Sequence, residues 1–259
     1  MKDAEEGLNR QEMTSALKRK GQRLIPIKWD DFSQRFLNIN GQKMQELWQT
    51  YGRDYVQTGP AYSSTGIGYG EWKDEWGCTW KTLDPEEVGG QMVAHPYDDV
   101  DMAIKAKLPD PELKERLEPI KRARHENPDK FLWVQMWMGP WEHCRALVGT
   151  EEMLTSLHLK KANAEKLISM VYEHFRTLIR NIATLDVDMI GIADDWGTEN
   201  SLLISPKMWV QFFAKHYANI FAEIISAGKL SFYHSCGCVA DLYPYLIDMG
   251  LDVLIPFLN

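Results

Sequence analysis

No apolar run in the chain approaches the roughly 20 residues of a membrane span. The N-terminus, MKDAEEGLNRQEM, is charged and has no apolar signal core, so no secretion is expected. Cysteine is scarce. The four at positions 78, 144, 236 and 238 do not make a secreted disulfide framework, and a reducing cytoplasm is the expected compartment. Basic charge is in deficit, with 29 Lys and Arg against 37 Asp and Glu. No Lys/Arg stripe forms, which argues against a nucleic-acid partner. Neither GxGxxG nor GxxxxGK[ST] occurs, so the glycine-rich phosphate loops are missing. There is no fixed-period repeat and no linker rich in Gly, Ser or Pro, so residues 1–259 read as one domain. What is present is an ordinary globular composition, 44% hydrophobic and 25% charged, with an unusually high count of ten tryptophans.

The first 129 residues read as a decorated N-terminal part. Helices are expected at Arg10 to Lys20 and Gln42 to Thr50, with a short apolar run at Leu24 to Ile27. Tyr55 to Gly70 reads as loop, although Tyr55 to Gln57 could be counted as a strand. Trp72, Trp76 and Trp80 have helical spacing, but Gly77 and Cys78-Thr79-Trp80 favour a turn and a short strand. A charged helix runs to about Asn127. From residue 130 the text becomes regular. Strands are expected at Phe131 to Met138, Val187 to Ala193, Leu230 to Tyr233 and Leu251 to Pro256. Between them lie a helix capped by Thr150, a long amphipathic helix from Lys161 to Leu185, a helix opened by Ser205-Pro206 and ending at Gly228, and one from Val239 to Met249. Strand and helix alternate, which implies a parallel sheet with helices outside it. An open doubly wound sheet and a (β/α)8 barrel both fit. The missing phosphate loop and the polar residues clustered after strand ends favour the barrel, whose sites gather at its C-terminal face.

Those strand ends deliver Trp141-Glu142-His143, Asp194-Asp195-Trp196-Gly197 and His234-Ser235-Cys236-Gly237. Residues two apart in a strand share a side, so His234 and Cys236 can bind one ion. Imidazole and thiolate suit zinc, which needs at least one more ligand. The plainer reading is a buried Cys beside a hydrogen-bonded His. Adjacent carboxylates at Asp194 and Asp195 repel unless protonated, paired or bound to something cationic. Alternation puts one in the mouth and one sideways, with Glu199 within reach. They could serve proton transfer or substrate contact, or could instead cap a turn and be solvated. His143 is a further catalytic candidate. Trp137, Trp141 and Trp196 are candidates for a flat substrate-binding wall, with packing as the alternative. His95, His125, His158, His174 and His216 read as structural or solvated.

The stretch from Asp188 to Asn259 resembles the uroporphyrinogen decarboxylase family, in particular its cobamide-dependent methyltransferase branch. A "DD.GT…LLISP..W..FF" block, an "HSCG" block and a "…LI..G.D.L.P" block occur in the family's order. "DEWGCTW", "HPYDDVD", "PDP" and "LVGTEE" fit more loosely. The resemblance implies a (β/α)8 barrel, here read as truncated before its last strands. It also implies zinc on His234 and Cys236, with a further Cys on a later strand that this sequence does not supply after Cys238. The family's decarboxylases carry an arginine-rich segment of the type RQAGRYLPEY, which binds substrate carboxylates. The corresponding text here, QRLIPIKWDDF, lacks the arginine pair.

The expected function is therefore corrinoid-linked, zinc-dependent methyl transfer on a small methylated substrate. The cobamide would be carried by a partner corrinoid protein. Cofactor-free decarboxylation of a porphyrinogen is the rival within catalysis. A non-catalytic homologue that docks a corrinoid protein is the rival outside it.

Overall fold

A computed structural model describes residues 7–20, 25–27, 34–65, 70–83 and 90–257. Five parallel strands form its centre, in the order β1 (Tyr55–Thr58), β6 (Phe131–Met136), β7 (Met189–Ala193), β8 (Leu230–Cys236), β9 (Val253–Phe257). A four-stranded antiparallel sheet, β2 (Ser64–Thr65), β3 (Gly70–Asp74), β4 (Thr79–Thr82) and β5 (Gln91–Ala94), is inserted between β1 and β6. Helices α1 (Arg10–Leu17) and α2 (Gln34–Tyr51) precede the parallel sheet. Then α3 (Val100–Ala103) and α4 (Glu118–Glu126) lead into β6. The crossovers are α5 (Pro140–Val148), α6 (Thr150–Leu159) and α7 (Lys161–Ala183), then α8 (Pro206–Trp209) and α9 (Lys215–Ser226), then α10 (Tyr243–Asp248). This is the βα alternation of a barrel wall.

Period-2 alternation sorts the strand side chains into two cores. Tyr55, Phe131, Trp133, Met189, Leu230 and Phe232 face inward, and Leu8 and Met13 of the N-terminal segment pack against them. Leu132, Val134, Ile190, Ile192 and Tyr233 face outward into the larger core with α5, α7 and α9. The inner file therefore climbs β7 through Met189 and Ala193 toward Asp195, and climbs β8 through Leu230 and Phe232 toward His234 and Cys236.

Several expectations are corrected. Tyr55–Thr58 is a strand rather than loop, paired with β6 from Tyr55↔Phe131. Leu24 lies outside the described residues, and residues 25–27 form no strand. The cap of α6 is Gly149, not Thr150. A φ of +90° at Gly149 turns the chain sharply out of α5, so Thr150 becomes the first helical residue. Ser205 does cap as expected, accepting from Met208 N. The last crossover helix is shortened, with Ala240–Leu242 forming a 3-10 turn before α10.

Candidate metal centre and its cavity

β7 and β8 are paired with Ala193 opposite His234. Two residues further on, Asp195 and Cys236 reach the same inner face at the C-terminal edge. The Cys236 amide donates to Asp195 Oδ1 at 2.9 Å, which ties the two strand ends together. Above them the two loops pack backbone to backbone. A Cβ on Gly197 would come within 2.5 Å of the Cys236 carbonyl oxygen, and Gly237 turns at φ +76°. Glycine in DDWGT and glycine in HSCG therefore serve one close approach between neighbouring loops.

The His234 ring is oriented from behind. Its Nδ1 lies 2.9 Å from the Ile255 carbonyl, which can only accept, so Nδ1 carries a proton and the neutral ring would present its lone pair at Nε2. Nε2 stands 3.4 Å from Cys236 Sγ and 3.8 Å from Asp195 Oδ1. Ligand atoms of Asp195, His234 and Cys236 all lie within 4.8 Å of one another. Among the described residues this is the one group of three or more His, Cys, Asp or Glu so placed. Burial, then the Asp195 charge, pushes the Cys236 thiol up to about 11. A thiol so placed is not a thiolate unless a cation offsets that carboxylate. One nitrogen, one sulfur and one carboxylate, with the imidazole held through its far nitrogen, is a donor set that fits zinc.

Asp194 points the other way and is fully buried. Its Oδ2 accepts from Tyr217 OH at 2.7 Å, and Tyr217 in turn accepts from Trp196 Nε1 at 2.8 Å. Oδ1 accepts from the Glu142 amide at 2.9 Å, so Asp194 caps α5, whose own N-cap is Gly139. A Cβ on Gly139 would strike that carboxylate at 2.5 Å. Burial outweighs these donors and raises the Asp194 carboxyl well above the usual range. Glu142 closes the circuit: Oε1 accepts from the Asp195 amide at 3.2 Å and Oε2 pairs with Arg145. Desolvation raises Glu142 as well.

A cavity of about 550 Å3 opens over the centre, walled by Trp80, His95, Trp137, Glu142, Arg145, Asp195 and His234. Trp80, Trp137 and Met138 also wall a second lobe of about 440 Å3. Trp137 is 57% exposed and lines both lobes. His143 lines the second lobe. Trp141 and Trp196, expected to form a flat substrate-binding wall, line neither lobe. They stack on each other at 4.2 Å in the outer core, both fully buried, because α5 and the loop after β7 fold their indoles away from the mouth. Glu199 is exposed on the loop after β7 and is not among the lining residues of either lobe. His95, expected to be structural or solvated, lines the cavity, with Nδ1 2.8 Å from the Ala146 carbonyl. Asp195 as a potential ligand was visible only as half of an acidic pair, because the β7–β8 register that sets it beside Cys236 is not written in the sequence. The QRLIPIKWDDF segment falls mostly outside the described residues.

A barrel-type α/β protein with a candidate metal-ligand cluster at the C-terminal ends of its strands is thus defined. Residues 77–255 match the uroporphyrinogen decarboxylase (URO-D) family, and the chain belongs to that family, whose fold is a TIM barrel. Among solved structures it is similar to a methyltransferase from Methanosarcina mazei, with a TM-score of 0.68 and 20% identity. That alignment covers 95% of this chain and 74% of the other. At that identity the likeness is one of fold. No curated protein matches the chain in sequence. No helix among the described residues is long and apolar enough to cross a membrane.

Proposed function

We propose that this chain is a zinc-dependent methyltransferase that moves a methyl group between a small methylated substrate and a corrinoid carried by a partner protein. The observation that carries the reading is the pairing of His234 Nε2 with Cys236 Sγ at 3.4 Å, with Nδ1 committed to the Ile255 carbonyl. Asp195 supplies the third ligand that the HxC pair lacks. Zinc held there would supply Lewis-acid polarisation or thiolate activation of the methyl donor or acceptor. The rest is done by the chain. Asp194 holds the start of α5 and, through the adjoining peptide, the position of Asp195. Glu142 holds the Asp195 amide. Trp137 and His143 face the bound substrate, and Glu199 stands outside at the rim. The methyltransferase name of the structural neighbour is consistent with this reading.

The test is an assay of the protein with zinc, a reduced corrinoid protein and candidate methyl donors, read as the change in cobalt absorbance. Cys236→Ser should abolish transfer while the fold survives. Carbon dioxide release from uroporphyrinogen without metal, unaffected by Cys236→Ser, would overturn the proposal in favour of decarboxylation.

A further inference from the structure

The second lobe takes no part in holding the metal. Its walls are Tyr62, Trp72, Trp76, Trp80, Trp137 and His143. The indoles are fixed from behind. Trp72 Nε1 donates to Thr82 Oγ1 at 3.2 Å, Trp80 Nε1 donates to Asp74 Oδ2 at 2.7 Å, and the two rings stack at 5.7 Å with 14° between their planes. Charge narrows what the lobe can hold. Asp74 and Glu75 are in its lining and, among the described residues, no Lys or Arg is, which disfavours an anion. Both carboxylates are already engaged, Asp74 by two backbone amides and Trp80, Glu75 by Arg116 and the Ser63 amide, so neither waits for a cation. Burial holds the His143 imidazole neutral, down to about 4.

Polar groups narrow it further. Gln135, 2% exposed, lines the lobe; its Oε1 accepts from Gln57 and its Nε2 has no acceptor among the described residues. Trp76 Nε1 in the same lining is likewise unmatched. A buried donor without an acceptor is costly, and an oxygen brought by a ligand relieves it. His143 Nδ1 is spent on the Gly139 carbonyl at 2.9 Å, so its Nε2 is an acceptor.

We propose that this lobe binds an uncharged aromatic ring bearing an oxygen substituent, the chemistry of a phenol or an aryl ether, with the ring against the indoles and the oxygen accepting from Gln135 Nε2. As a substrate class this rests on the methyl-transfer reading; as a binding site it stands on the lobe alone. The shared wall of Trp80, Trp137 and Met138 joins the ring's lobe to the metal chamber.

The probe is 2-methoxyphenol, titrated into the metal-free protein by calorimetry and tryptophan quenching. Benzoate, phenyltrimethylammonium and cyclohexyl methyl ether serve as comparison ligands. One saturable site is expected, with each comparison ligand at least about tenfold weaker. Gln135→Leu should weaken the probe about tenfold, the loss of one buried hydrogen bond. Trp137→Ala, at an exposed ring whose removal leaves the fold intact, should weaken it by a similar factor. Cys236→Ser should leave ring binding unchanged while methyl transfer is lost, which separates this site from the metal reading. No saturable binding, equal or tighter binding of the cation, or affinity indifferent to both Gln135→Leu and Trp137→Ala would overturn the proposal.

Discussion

The metal-ligand chamber hangs on the C-terminal ends of β7 and β8, in the middle of the parallel sheet, whereas the aromatic lobe hangs largely on the antiparallel β2–β5 insert. In the chamber, backbone pairing does the positioning: Asp195 and Cys236 are joined through a main-chain amide, and His234 is steered by a main-chain carbonyl. In the lobe, side chains hold side chains: Asp74 grips Trp80, Thr82 grips Trp72, and Arg116 grips Glu75. The candidate ligands thus sit on the rigid sheet, and most of the walls that shape the aromatic lobe sit on the insert.

The largest effect should separate two tryptophans, one just after β6 and one in the first turn of α5. Trp141→Ala removes a fully buried ring stacked on Trp196 and should cost about 4 kcal/mol of unfolding free energy. Trp137→Ala, four residues earlier and 57% exposed, should cost less than about 1 kcal/mol. Denaturant melts of the two variants check this, and equal losses would mean that the boundary between core and mouth is misplaced.

Acid should act first on the lobe side. Burial keeps His143 neutral down to about 4, and His174, against the same Trp76 ring, is also lowered to about 4. The unfolded chain takes up these protons near pH 6.5, so it binds more protons than the native state between 6.5 and 4. The contribution of neutral burial is complete above pH 6.5 and is lost as pH falls toward 4, by up to roughly 3 kcal/mol per histidine. His143→Gln should flatten that part of the stability–pH curve, and an unchanged slope would contradict the assignment.

A smaller loss is expected beneath the chamber. Tyr217→Phe strips one partner each from Asp194 Oδ2 and Trp196 Nε1, both buried, and should cost about 2 kcal/mol. Zinc affinity should fall only slightly, since Asp194 acts through α5 and not on the metal. The smallest effect belongs to Glu199→Gln, which should change neither stability nor metal binding, because Glu199 lines neither lobe.

The contrast between the two regions also explains what could be read in advance. His234 and Cys236 were legible because period 2 in a strand is a local rule, and the strand, its glycine and its sequence motif stand together in HSCG. The opposite orientations of Asp194 and Asp195 followed from the same rule. Which of them faces His234 and Cys236 did not follow, because that depends on setting Ala193 opposite His234 across a parallel pair. The packing of Trp141 and Trp196 was not legible for a related reason. Both follow a strand end, but Gly139-Pro140 starts a helix at once, and helical spacing then turns Trp141 toward Phe213 and Trp196. The aromatic lobe was the least legible part. Trp72, Trp76 and Trp80 were visible as a run, and the turn at Gly77 was expected. Their meeting with Gln135 and His143 requires the insert to fold over the mouth, which no local pattern encodes.

The central claim is that Asp195, His234 and Cys236 form a zinc site. Its most direct test is elemental analysis of the full chain after zinc loading and exhaustive dialysis, run beside Cys236→Ser and His234→Gln, with circular dichroism to establish that each is folded. The account predicts about one zinc per wild-type chain, and retention lost in both variants while their folds persist. Folded wild-type protein that retains no zinc, or Cys236→Ser that retains as much as wild type, would contradict it.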